Sequence, residues 1–312
     1  ARARGRERQA RRTFSRTTSI RICPGPLPAY NATNGLEHAP KAGPMAPKEE
    51  LPRLRYRYPA RLILQLAWAF LCGRERSFPG DAARLYGTIA PRPQVEGLER
   101  VPERGNMAFV FNHYYSRSFA SWWSPISITA LVQGRRSLAP GGISWIMAGA
   151  WTYPDALRQR IITPLTQWAF RRLAHVYGLV VMPPMPPRPH EVEARAGAVR
   201  HMLALARREC PPLLGLSPEG HDGPKANLIE PPSGVGRFLL LLGTSLAFVP
   251  VGVYEEGDRL VVRFGEPFAL QSPEGLAPGD RDAWASTEVM LAIGRLLPPR
   301  LWGAYRSRLA GR

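Results

Sequence analysis

Residues Pro212 to Val253 (PLLGLSPEGHDGPKANLIEPPSGVGRFLLLLGTSLAFVPVGV) limit the fold more tightly than any other stretch of the chain. Leu213 to Leu216 is a short apolar run of the length and composition of a buried strand. It runs into Ser217-Pro218-Glu219-Gly220 and a polar loop, rich in glycine and proline, that reaches Pro232. An apolar helix over Val235 to Leu242 and a second buried strand over Ala247 to Val253 complete a βαβ unit. The loop leaves the carboxyl end of a strand, the edge at which open α/β sheets keep their ligand sites. Glu219 is therefore either a site residue, with Gly220 allowing close backbone approach, or the cap of its own loop.

The rest of the chain repeats the alternation. Strands are predicted over Met107 to Phe111, Ile143 to Gly149, Leu179 to Met182 and Leu260 to Phe264. Helices are predicted within Tyr114 to Val132, over Asp155 to Tyr177 and Glu191 to Arg208, and from Asp280 onward. In the second of these, Ile161, Ile162, Leu165, Trp168, Ala169 and Leu173 form an apolar stripe. Alternating elements of this kind predict an α/β fold, a largely parallel central sheet flanked by helices. Three divisions follow: a disordered basic tail over 1–50, an amphipathic membrane-surface segment over 51–78, and a domain over 79–312 that begins with a proline-containing linker. Met45 opens a more ordinary sequence, which suggests that 1–44 is an over-extended start; the alternative is a genuine basic tail.

Leu62 to Cys72 (LILQLAWAFLC) is the longest apolar run. As a helix it is ~16 Å long against ~30 Å of hydrocarbon, too short to cross a bilayer. Arg53, Arg55, Arg57 and Arg61 precede it, and Arg74 and Arg76 follow. That framing suits a helix lying among anionic headgroups, at the cytoplasmic face as a peripheral element, and equally one packed on its own domain. The formal net charge of +18 also favours an anionic surface. Only Lys41, Lys48 and Lys225 among the 42 basic residues are lysines, an arginine skew that needs no nucleic-acid role. The basic residues are dispersed and no recognition motif occurs, so no nucleic-acid partner is expected. Cys23, Cys72 and Cys210 have neither pairing nor metal spacing, so no metal is expected and a reducing compartment fits.

His113 follows an apolar strand directly and shares the edge of Glu219 if the two strands are parallel. Its unperturbed pKa of ~6.5 suits proton transfer, although a lone histidine is often structural. No nucleophile elbow, P-loop or dinucleotide fingerprint accompanies it.

Asn112-His113 after a strand, Pro218-Glu219-Gly220 about a hundred residues later, and Val249-Pro250-Val251-Gly252-Val253 closing the next strand resemble the PlsC-like glycerolipid (1-acylglycerol-3-phosphate) acyltransferase superfamily, over roughly Gln94 to Phe268. The resemblance implies a glycerolipid acyltransferase-like fold of use in phospholipid synthesis. It implies transfer of a fatty acyl group from a thioester donor, acyl-CoA or acyl-carrier protein, to a lipid-alcohol acceptor, with no further cofactor. His113 is then the general base. Asn112, Glu219, Gly220 and His221 line the acceptor site.

Three positions depart from the family pattern. The family motif is Asn-His-x4-Asp, and its aspartate, the fifth residue after the histidine, is here Ser118, which the resemblance leaves as a possible orienting partner for His113. The arginine after the strand at Leu179 to Met182 is replaced by prolines, with Arg188 the nearest candidate. Glu-Gly-Thr-Arg is here Glu219-Gly220-His221-Asp222, so an anion stands where the family places a phosphate-binding cation. Arg237 and Lys225 are the available substitutes. Two expectations result: the acceptor is not a simple glycerol phosphate, and Ser118→Asp leaves activity equal or higher. The alternative is a catalytically impaired relative that binds lipid or acyl chains without transfer.

Overall fold

The strands that matter here are continuous apolar runs, not alternating ones, as expected when both faces of a sheet are covered. A computed structural model describes residues 53–136, 142–151, 153, 155–183, 191–208 and 213–311. The predicted tail, the start at Met45, Arg188, Cys23 and Cys210 lie outside the described residues.

The seven strands are β1 (Gln94–Glu96), β2 (Met107–Phe111), β3 (Ile143–Ala148), β4 (Val180–Met182), β5 (Leu213–Leu216), β6 (Ala247–Glu256) and β7 (Arg259–Phe264). They form one sheet in the order β1-β7-β6-β2-β5-β3-β4. Every pairing is parallel except β6 with β7. All residues of β2 and β5 are buried. Ala108 pairs with Leu214 and Val110 with Leu216, while Val110 also pairs with Pro250 and Phe111 with Val251. The three strands therefore end at one carboxyl edge, which carries His113, Ser217 and the end of β6.

Eight helices complete the described chain: α1 (Ala60–Cys72), α2 (Phe78–Tyr86), α3 (Trp123–Arg135), α4 (Ala156–Tyr177), α5 (Val192–Ala206), α6 (Val235–Gly243), α7 (Arg281–Gly294) and the short α8 (Arg306–Ala310). Helix α2 corrects the linker expected from residue 79 and lies across the expected boundary at 78/79. Pro79 sits in its first turn, where a proline removes a hydrogen bond that no helix makes. Ser77 caps it by accepting from Gly80 N–H at 3.2 Å.

Helix α4 turns much of its apolar stripe outward. Thr163, Thr166, Ala174 and Val176 face inward, whereas Leu157, Ile161, Leu165 and Trp168 are 55–70% exposed. The face outward continues onto α1, whose Leu64, Trp68 and Leu71 are 62–71% exposed. The two helices are held together by Phe70 edge-on to Trp168 and by Arg172. The Arg172 guanidinium donates to the carbonyls of Phe70 at 2.6 Å and Leu71 at 2.8 Å, closing the otherwise open end of α1. Among the described residues no helix is long and apolar enough to cross a membrane.

Candidate functional site

The carboxyl edge of β2, β5 and β6 brings together His113, Glu219, Asp222 and Asn112, and two of these turn out to be frame. Asn112 is 1% exposed. Its amide donates to the carbonyl of Val253 and accepts the Val253 N–H, both at 2.8 Å, so the side chain extends the pairing of β2 with β6. Glu219 is also 1% exposed. One of its oxygens accepts the main-chain N–H of His113 at 2.6 Å, the other that of Ile229 at 3.0 Å. Both side chains are buried and their polar atoms bond the backbone, so each helps to hold the frame on which His113 stands.

Burial is the larger influence on the Glu219 carboxyl and pushes its pKa up to about 7, against the two N–H donors that favour the charged form. The nearby Asp222 carboxylate pushes in the same direction as burial, and His113 opposes it.

The loop beyond Glu219 is held at several points. Gly220, exposed and at φ +72°, makes the left-handed turn that L side chains avoid. Gly223 is packed so closely that a Cβ would run into the carbonyl oxygen of Asn227. Leu228 is hydrogen-bonded in both directions, its N–H to Leu301 and its carbonyl to Ala304, each at 3.0 Å. Lys225 and Ala226 adopt φ of 55° and 58°, each costing about 1 kcal/mol, which these fixed points sustain.

His113 is different in kind from its neighbours. Its side chain is 23% exposed, enough to meet a substrate. Nδ1 is buried and lies against Oδ1 of Asp222, an ion-pair contact that falls short of an aligned hydrogen bond. Nε2 is the remaining ring nitrogen. Asp222, in the loop after β5, was read from the sequence only as a missing arginine. What places it beside His113 is the turn at Gly220, which no local pattern reveals.

Ser118 does not take the expected place at the imidazole. Its hydroxyl donates to Glu255 Oε1 at 3.1 Å and lies 3.2 Å from the Ser116 hydroxyl. Ser116 donates to Glu255 Oε2 at 2.6 Å, and Tyr56 donates to Oε1 at 2.9 Å. Burial, then the Glu255 carboxylate, pushes the Tyr56 phenol far upward, so it stays a donor. Glu255 follows the apolar run of β6 directly, the same signal that marks His113.

The remaining expected residues are dispersed. His221 and Lys225 are exposed in the loop. Arg237 is exposed in the first turn of α6, where its backbone N–H bonds Asp282 at 2.8 Å. Among the described residues no hydrogen bond or ion pair joins Arg237 to His113, Glu219 or Asp222. No cluster of metal-ligating residues occurs among the described residues.

No family model matches the chain, and no characterised protein matches it by sequence. Among solved structures the chain is similar to the 1-acyl-sn-glycerophosphate (LPA) acyltransferase PlsC from Thermotoga maritima. The identity is 14%, the match covers 70% of this chain and 78% of that one, and the TM-score is 0.41. A likeness so distant says nothing of individual residues, whose roles rest on the geometry above.

Proposed function

We propose that the protein is a peripheral membrane acyltransferase that moves a fatty acyl group from acyl-CoA or acyl-carrier protein to a lipid alcohol. The observation that carries this reading is His113, a partly accessible imidazole at the carboxyl edge of the central strand, gripped through its own backbone by Glu219. Nε2 takes the proton of the acceptor hydroxyl as that oxygen bonds to the thioester carbonyl carbon. Collapse of the tetrahedral intermediate breaks the carbon–sulfur bond, and the imidazolium returns the proton to the departing thiolate.

An anionic acceptor fits this site poorly. Asp222 contributes negative charge beside His113, and among the described residues neither Lys225 nor Arg237 bonds to it. The favoured acceptor is an alcohol without a phosphate next to the reacting hydroxyl. The outward face shared by α1 and α4 supports membrane association: its apolar side chains stand among Arg61, Arg74, Arg158, Arg160 and Arg171, all exposed.

Release of free thiol from acyl-CoA, measured with lysophosphatidic acid, glycerol 3-phosphate and neutral or sugar-bearing lipid alcohols, tests the reading. We expect acceptor-dependent thiol release that favours the uncharged alcohols and is lost in His113→Ala. Full turnover in a folded His113→Ala protein rules out the base role. Preference for lysophosphatidic acid rules out the acceptor assignment. A wild-type protein that binds acyl chains without releasing thiol is the impaired relative.

A further inference from the structure

The orienting acid of this site comes from a different part of the chain than the loop that carries the histidine. We infer that Asp222 is the positioning residue of His113: its carboxylate holds the proton of the imidazole on Nδ1 and so keeps Nε2 as the proton-accepting nitrogen. The inference deepens the acyl-transfer reading and rests on it for its consequence in turnover.

Three observations support it. Asp222 Oδ1 is the polar group against Nδ1, a nitrogen closed to solvent. Water cannot serve there instead, so the tautomer is decided by the protein. The loop that carries Asp222 is fixed on both sides, by the Glu219 carboxylate that spans His113 and Ile229 and by Gly223 packed under Asn227. Ser116 and Ser118, the nearest serine hydroxyls in sequence, donate to Glu255. Asp222 itself is 42% exposed, so its carboxylate is free to rotate into alignment when a substrate closes over the ring.

During the reaction the Nδ1 proton stays on the ring. Nε2 gains the hydroxyl proton, the imidazolium that forms lies against an ionised carboxylate, and Nε2 then releases the proton to sulfur. Asp222 neither gains nor loses a proton. Its removal leaves the ring free to place its proton on Nε2, which withdraws the base.

The test joins a spectrum to a rate. The full chain is labelled with 15N-histidine, and His113 is assigned among the six histidines by its loss in His113→Gln. In the wild type at pH 8.5 we expect the Nδ1–H tautomer. In Asp222→Asn and Asp222→Ala we expect a mixed or reversed population. Thiol release from acyl-CoA in both variants should fall in kcat by about 10^3- to 10^4-fold, the scale of losing an orienting carboxylate elsewhere, with KM for the donor within about threefold. An unchanged tautomer in folded variants overturns the inference, as does a rise in KM with kcat unaltered. A tautomer shift in a protein that releases no thiol supports the contact and removes the acyl-transfer reading.

Discussion

The main-chain N–H of His113 donates to the side chain of Glu219 at 2.6 Å, across 106 positions of sequence. Because the second oxygen of Glu219 receives Ile229 N–H at 3.0 Å, one carboxyl group fixes both the exit from β2 and the return of the loop after β5. That carboxyl titrates near 7 in the folded chain, against an ordinary 4.5.

The sign of the resulting pH dependence follows directly. Between the two values the unfolded chain has lost the proton that the folded one retains, so stability falls as pH rises from about 4.5 to about 7. The whole effect is about 3 kcal/mol. Glu219→Gln should lose this slope while costing about 1–3 kcal/mol, because one amide end points an N–H at an N–H. Urea midpoints at pH 5 and pH 8 measure both. A wild-type midpoint that rises over that interval by as much would contradict the assignment.

Asn112→Asp should destabilise by about 3 kcal/mol, since Val253 keeps an acceptor for its N–H but its carbonyl faces a carboxylate in a buried setting. Asn112→Ala should cost a similar amount by leaving both Val253 groups unpaired. Thermal denaturation followed by circular dichroism reads the change, and a shift below a degree in either variant would show that the pairing contributes nothing.

Ser118→Asp reverses the expectation drawn from sequence. The new carboxylate would stand against Glu255, 3.1 Å from the present hydroxyl, and not against His113. We expect activity to fall about tenfold through loosening of the loop, and Ser118→Asp combined with Glu255→Gln to recover most of it. Higher thiol release in the single variant would restore Ser118 as the partner of the imidazole.

Leu64→Glu and Leu165→Glu change side chains that are 71% and 60% exposed, so folding should be unaffected. Burial of such a side chain in lipid contributes about 1.5–3 kcal/mol, and each substitution should weaken sedimentation with phosphatidylglycerol vesicles by at least about tenfold. High salt or alkaline carbonate should strip the wild type from membranes. Retention through both washes would argue for integral insertion, and unaltered binding of the two variants would exclude this face as the contact.

Runs such as Met107–Phe111 and Leu213–Leu216 are legible because a strand covered on both faces leaves a signal in every residue. Helix α2 is not, because Pro79 looks like a break and is in fact a start. In α4 the period of the stripe is readable but its direction is not: a 3.6-residue repeat marks an apolar face without saying whether a core or a lipid surface covers it. At the site, His113 and Glu219 stand out by their place at strand ends, as Glu255 should have. Asp222 could not, since its position depends on the left-handed turn at Gly220 and on a loop closed by Ile229 and Asn227.

The carboxylate of Glu255 joins three lengths of chain through Tyr56, Ser116 and Ser118. Tyr56 lies just ahead of α1, and its ring packs on Phe119 and Trp123, on the far side of the same loop. The helix therefore cannot swing as a free arm. The approach to α1 is thereby tied to the same loop that leads away from His113, so the entry of the helix and the exit of β2 share one anchor.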